Sequence, residues 1–169
     1  MKYRPMPNVL NPFSKRIMIK FFTFFIFAAF SAFTHSHELS NGYLTLKNDS
    51  NNTLSGELLL KPEDIGQAAG LDSNNDGNLT WGEVNRNHTM ANDYIQNHLV
   101  IRDSETRCTV SIATPSIRDI SAESLLVCPL SVNCVYVNEV SIQYTGIVSD
   151  FPTHKLLTTV TLNDHTSVY

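Results

Sequence analysis

Between Asp72 and Glu83, oxygen-bearing side chains recur at a spacing that suits a tight bend around a cation. The segment reads Asp72-Ser73-Asn74-Asn75-Asp76-Gly77-Asn78-Leu79-Thr80-Trp81-Gly82-Glu83. Calcium is a large, hard ion that takes six to eight oxygens at about 2.3–2.6 Å in a flexible cage. Asp72, Asn74 and Asp76 place side-chain oxygens at alternate early positions. Gly77 stands at the bend, where a β-carbon would oppose the backbone angles required. Asn78 is expected to offer its backbone carbonyl, and Thr80 a hydroxyl or a bridging water. Glu83 is expected to return both carboxylate oxygens from the first turn of an exiting helix. Leu79, between two ligands, is expected to point inward to the core. The metal-site expectation is therefore Asp72, Asn74, Asp76, Asn78, Thr80 and Glu83, with Ca²⁺ as the cofactor. An Asx-rich turn would explain Asn74 to Gly77 alone, but neither Glu83 at its offset nor the placement of Leu79. Three formal negative charges in a single loop without a paired second loop imply weak binding, about 10⁻⁴–10⁻³ M. That affinity suits a structural ion more than a signal.

The flanking patterns decide what carries this loop. Pro62-Glu63-Asp64 puts proline and acids in the first turn of a short helix, Pro62 to Ala69, that buries Ile65 and Ala69 and ends at Gly70. Beyond the loop, Val84, Ala91, Ile95 and Leu99 recur at near-helical spacing, predicting one longer helix over about 81–100 with Trp81 anchoring it to a sheet. Elsewhere the period is two. Tyr43 to Lys47 and Thr53 to Leu60 read as strands, the latter with a bulge at Ser55-Gly56, and Asn48 to Asn52 as a polar turn between them. Cys108 to Ile112, Ser124 to Cys128, Cys134 to Tyr144 and Leu156 to Leu162 continue the series. The expected fold is α+β: a β-sandwich-like domain with an inserted helix-loop-helix, an EF-hand-like calcium site, over 62–100.

Charge and hydropathy separate the first residues from the rest. Through Ser36 there are five basic residues and no acid, which leaves seven basic against sixteen acidic groups beyond it, a formal net charge of −9. So acidic a body repels nucleic acid and has no polybasic face for anionic lipid. After Lys20 comes an apolar run from Phe21 to Phe33, the length of a signal-peptide core and short of the roughly 20 residues that span a bilayer. Residues 1–36 are thus expected to be a signal peptide, with Met18 offering an alternative start. Residues 37–169 are expected to be the exported domain, periplasmic or secreted. An uncleaved anchor helix is the rival reading, since only small residues such as Thr34 and Ser36 mark the cleavage region. Three cysteines, Cys108, Cys128 and Cys134, imply one disulfide and one remaining thiol in an oxidising compartment. Cys108 with Cys128 closes the larger loop, a stabilisation of roughly 3 kcal/mol, whereas Cys128 with Cys134 would staple a tight hairpin through Pro129. The first pairing is preferred. No Cys-x-x-Cys set suggests zinc.

Three stretches resemble the N-terminal extracytoplasmic region of HupE/UreJ family membrane proteins. They are His37-Glu38-Leu39 with Tyr43-Leu44-Thr45-Leu46; Asp64-Ile65 with Gly70-Leu71-Asp72 and then Asp76 to Glu83; and Asp150-Phe151-Pro152-Thr153-His154-Lys155, similar to the family's Asp-Pro-x-His-Arg. The resemblance covers essentially all of the expected exported domain, and the loop with Trp81-Gly82-Glu83 is its most specific part. It implies a region that precedes a multi-helix membrane domain associated with metal, notably nickel, permeation. It also implies cysteines near 108 and 128, which supports pairing them, and leaves Cys134 outside the pattern. Tyr169 follows with no apolar span, so the expectation is a truncated or split relative, or a stand-alone one. The expected role is an exported calcium-binding module that serves as a binding or accessory domain for a membrane permease or other envelope protein.

The alternative is a periplasmic nickel or copper accessory protein, in which a free amino group and His37 beside the mature terminus chelate the metal. His88 and His98 lack metal-pair spacing and read as surface residues, and His154 after Pro152 reads as organising a turn. An enzyme is not expected. The chain has no Gly-x-Ser-x-Gly elbow, no His-Glu-x-x-His and no phosphate-cradling glycine loop.

Overall fold

The computed structural model describes residues 40–49, 53–104, 106–120, 123–137 and 139–169. The signal peptide expected over 1–36, its rival anchor helix, and His35 and His37 lie outside them. Nine strands and three helices are seen among the described residues. β1 (Asn41–Asn48) and β2 (Thr53–Leu60) precede α1 (Pro62–Ala68), α2 (Trp81–Arg86) and α3 (His88–His98). Then come β3 (Leu99–Arg102), β4 (Thr109–Ile112), β5 (Ser116–Ile120), β6 (Glu123–Asn133), β7 (Ser141–Tyr144), β8 (Lys155–Leu162) and β9 (His165–Val168). The chain is thus mixed α+β and mostly sheet, consistent with a sandwich-like arrangement, with its helices inserted between β2 and β3.

The main sheet runs β4-β6-β2-β1-β8-β9, and β5 pairs with β6 beside β4. All its ladders are antiparallel except β1 with β8. A second, two-stranded sheet joins β3 and β7. Alternation explains which face is covered. Leu44 and Leu46 of β1 are buried while Tyr43, Thr45 and Lys47 between them are exposed, as a strand wet on one side requires. Leu54, Leu58, Leu60, Leu126, Cys128, Leu130 and Val132 join the same core. Ile65, Val84, Ala91 and Ile95 of the helices pack into it too, as do Leu99 and Ile101 of β3.

Several expectations need correction. The 81–100 helix is two helices that meet at Asn87 (φ −110°, ψ 17°), and Leu99 already belongs to β3. No bulge interrupts β2, since Gly56 lies opposite both Leu46 and Leu130 in continuous ladders. Glycine is needed there for another reason: a β-carbon would stand 1.8 Å from the Thr45 carbonyl oxygen. The strand expected over 134–144 is confined to Ser141–Tyr144. The N–H groups of Val135 and Tyr136 donate to Asp103 Oδ2 (3.0 and 3.2 Å), so a carboxylate rather than a ladder satisfies them.

The disulfide is also not the expected one. Cys108 is bonded to Cys134, and Cys128 is a buried free thiol. Strand register decides this. Thr109 lies opposite Asn133 in the β4–β6 ladder, so Cys108 and Cys134 fall side by side one step further on, with Cα atoms 4.5 Å apart. Cys128 lies opposite Leu58 in mid-strand, inside the core, where burial pushes its thiol up to about 12. A disulfide is compatible with an exported protein. Among the described residues, no helix is long and apolar enough to cross a membrane.

Candidate metal site

The loop is delimited at both ends by helix terminations that its sequence dictates. α1 stops in a Schellman motif, in which Gly70 N–H donates to Gln67 O, Leu71 N–H donates to Gly66 O, and Gly70 takes φ +65°. Leu71 is fully buried just before the first loop residue. At the far end Thr80 is the N-cap of α2, and Glu83 completes a capping box. The Thr80 hydroxyl and N–H donate to Glu83 Oε2 (2.7 and 3.0 Å), and Glu83 N–H donates to Thr80 Oγ1 (3.3 Å).

Between these ends the chain folds back on itself. Gly77 has φ +83°, and its N–H donates to Asp72 Oδ2 across the bend (2.9 Å). Asp76 N–H donates to Asn74 Oδ1 (3.0 Å) and Asn78 N–H to Asp76 Oδ1 (2.8 Å), two consecutive Asx turns. Asn74 Nδ2 donates to Asp76 Oδ2 (2.9 Å). Ser73 N–H donates to Glu83 Oε1 (3.0 Å), which ties the second loop residue to the last. Glu83 is buried despite its charge. Its carboxyl is held below the usual range, chiefly by the Thr80 hydroxyl and then by the Thr80 N–H. Leu79 packs against the core, over Gly66 of α1, as expected of a residue between two outward neighbours.

The six predicted ligands therefore share one compact loop, but their carboxylates do not converge. Among the described residues, no three His, Cys, Asp or Glu side chains form a group that could hold a metal ion. Glu83 and Asp76 direct their oxygens at N–H groups of the loop, and Thr80 directs its hydroxyl at the helix cap. One oxygen stands apart. Asp72 Oδ1 is buried without a hydrogen-bond partner, an arrangement a carboxylate tolerates poorly. An all-oxygen donor set with one orphaned carboxylate oxygen fits a hard divalent cation, and it fits no soft one.

Trp81, expected to anchor α2 to the sheet, is instead about half exposed. At the first helical position its side chain leaves the core side to Val84. The anchor that periodicity did not reveal is Asn87. Its Nδ2 donates to Leu71 O (3.1 Å) and Ser73 Oγ (3.0 Å), tying the break between α2 and α3 to the start of the loop. An asparagine inside an otherwise helical pattern was the available signal. His88 Nδ1 bonds Asn85 O at the surface, and His98 stacks on Tyr94. A further set was also missed. Buried Ser40, Asp64 and His154 form a chain in which the Ser40 hydroxyl bonds both Asp64 Oδ2 and His154 Nδ1. The serine sits between acid and imidazole, so the acid cannot orient the imidazole as in a nucleophilic triad.

A scan of the chain against protein-family models finds no match, and a search of curated proteins finds none either.

Proposed function

We propose that the chain is an exported calcium-binding module in which the ion is structural. Asp72, Asn74, Asp76 and Glu83 would supply side-chain oxygens, Asn78 its carbonyl, and Thr80 a hydroxyl or a water. A bound divalent charge would offset two of the three negative charges and cross-link the end of α1 to the start of α2. The observation that carries this reading is the orphaned Asp72 Oδ1 in a loop bent at Gly77, whose other expected ligands are all oxygens. The Schellman stop, the capping box and the Asn87 tether support it, because they hold the loop ends at fixed separation in advance of any ligand. Calcium outside the cytoplasm can be abundant enough for a weak site. By its resemblance to HupE/UreJ extracytoplasmic regions, the module would serve a membrane permease or another envelope protein.

The test is a pair of melts with calcium and with chelator. At about 10 mM calcium and a Kd of about 10⁻⁴–10⁻³ M, linkage gives roughly 1.4–2.7 kcal/mol, a rise in Tm of several degrees. Glu83→Gln should remove most of that rise. Identical melting in calcium and chelator would defeat the proposal.

A further inference from the structure

A cavity lies away from the acidic loop. It has a volume of about 710 Å³ and is bordered by β7 and by β8 with β9. Its walls include Val140, Ile142, Leu156, Val160 and Leu162. Glu139, Asn163 and His165 contribute polar groups, and Tyr144 and His154 contribute two aromatic rings whose centroids are 5.8 Å apart.

The fold positions those rings from opposite directions. Tyr144 closes β7. His154 ends a turn that begins at Ile147, a fully buried β-branched residue at φ +67°. Tyr94 of α3 holds that unusual backbone by accepting the Ile147 N–H at its hydroxyl (2.7 Å). Because β1 and β8 pair in parallel with Asn41 opposite Lys155, Ser40 falls beside His154. Asp64 of α1 closes the chain behind Ser40.

Counting protons fixes what the imidazole presents. The Ser40 hydroxyl has a single proton, and it donates this to Asp64 Oδ2. His154 Nδ1 must then carry the proton shared with Ser40 Oγ, which in the neutral ring leaves Nε2 as a bare acceptor. Burial favours the neutral ring, against the opposing pull of the Asp64 charge. Nε2 is buried and has no hydrogen-bond partner, and the same is true of the Tyr144 hydroxyl. His154 as a whole is 6% exposed. Beside Nε2 stands Gly42, where a β-carbon would meet Leu60 at 2.9 Å, Leu156 of the cavity wall at 3.1 Å and the nitrogen at 3.4 Å. Two buried polar atoms without partners thus belong to rings that line a cavity whose walls are partly apolar and partly polar.

We infer that this cavity binds a neutral amphiphile: an apolar body against Val140, Ile142, Leu156 and Val160, and a hydroxyl headgroup that donates to His154 Nε2 and accepts from Tyr144. An anionic headgroup fits badly. The acceptor nitrogen offers it no proton, Asp64 lies one hydroxyl behind the imidazole, and Glu139 also borders the cavity. The inference is independent of the calcium reading, since it uses none of the loop residues.

Three probes with one apolar body and different heads test it on the full chain: para-hexylphenol, para-hexylbenzoate and hexylbenzene, titrated by calorimetry in calcium and in chelator. The phenol should bind saturably and about tenfold more tightly than either other probe, the loss expected when a buried acceptor is left unpaired. His154→Asn keeps a donor toward Ser40 but lacks the outer nitrogen, and should reduce the phenol's advantage to about twofold or less. Ile142→Trp should abolish binding of all three by filling the cavity, with near-ultraviolet circular dichroism confirming that each variant is folded. No saturable phenol binding to the unmodified protein, equal binding of phenol and benzoate, or phenol binding indifferent to Ile142→Trp would each overturn the inference. The headgroup comparison needs no variant, so it stands even if a substitution unfolds the chain.

Discussion

The acidic loop and the disulfide corner are both turns held by side-chain oxygens, yet they are assembled over very different stretches of chain. In the loop the backbone N–H groups of Ser73, Gly77, Asn78 and Thr80 all donate within ten residues, to Asp72, Asp76 or Glu83. At the corner, Asp103 accepts from Thr106 nearby (2.7 Å) but also from Val135 and Tyr136, and Cys108 reaches Cys134 across 26 residues. A locally closed turn can form with its neighbouring helices and loses little when strands elsewhere separate. A corner closed over a long span exists only once β3, β4 and β6 are in register, so its disruption should be felt by the whole domain.

The sharpest way to break the comparison is at the corner. Cys108→Ser should cost about 3–4 kcal/mol in a denaturant titration, from the loop-closure entropy of a span that long. Cys128→Ala should cost only about 1 kcal/mol, a small cavity. Alkylation mapping decides the pairing directly. The native protein should resist labelling, and the unfolded, unreduced chain should label at Cys128 alone. Labelling at Cys134 instead would restore the Cys108–Cys128 pairing.

Asp103→Ala comes next. It strips the acceptor from three N–H groups, on Thr106, Val135 and Tyr136, and should cost about 1–3 kcal/mol with a steeper loss when the disulfide is reduced. A double-mutant cycle with Cys108→Ser measures that coupling, and strict additivity would mean that the two halves of the corner act independently. Thr80→Ala tests the local region and should be milder. Losing the capping box costs about 1 kcal/mol in chelator, with no dependence on reduction.

The smallest effect is a pH dependence traced to His154. Its pKa lies below the ordinary imidazole value because burial penalises the charged ring. The unfolded chain therefore takes up this proton first as the pH falls. The associated stability is present above about pH 6.5 and is lost on acidification through the lower folded-state pKa. His154→Asn should flatten the decline below about pH 6.5 relative to the unmodified protein, and an unchanged slope would remove His154 as its source.

How much was legible follows the same division. The residues of β1, β2 and β8 announced themselves because alternation is a local pattern, and the ends of α1 and α2 because proline, glycine and a Thr-x-x-Glu box act within one turn. The twelve loop residues were readable for that reason too. β5 and β9 are four or five residues long and exposed, so no apolar period marked them, and the buried Leu99 of the four-residue β3 continued the apolar spacing of α3 and read as helix. Residues 134–137 have the β-branched composition of a strand, but Asp103 takes the N–H groups of Val135 and Tyr136, and nothing near them in sequence says so. The cysteine pairing failed similarly, because loop size and resemblance cannot report which residues lie opposite one another.

By itself the sequence determined the loop, its bend at Gly77, its two helix ends and the two-residue period that makes the domain mostly sheet. Each of these depends on backbone preferences and hydrogen bonds within about ten residues, which any chain with those side chains would express. Register alone chose Cys134 over Cys128 and placed Ser40 between Asp64 and His154. It also brought together at one cavity the rings that carry the unpartnered His154 Nε2 and Tyr144 hydroxyl. Those choices are made by strands distant in sequence, through the one alignment that buries Leu44, Leu58 and Leu126 on a common face, since a slip of one residue would turn that face to water.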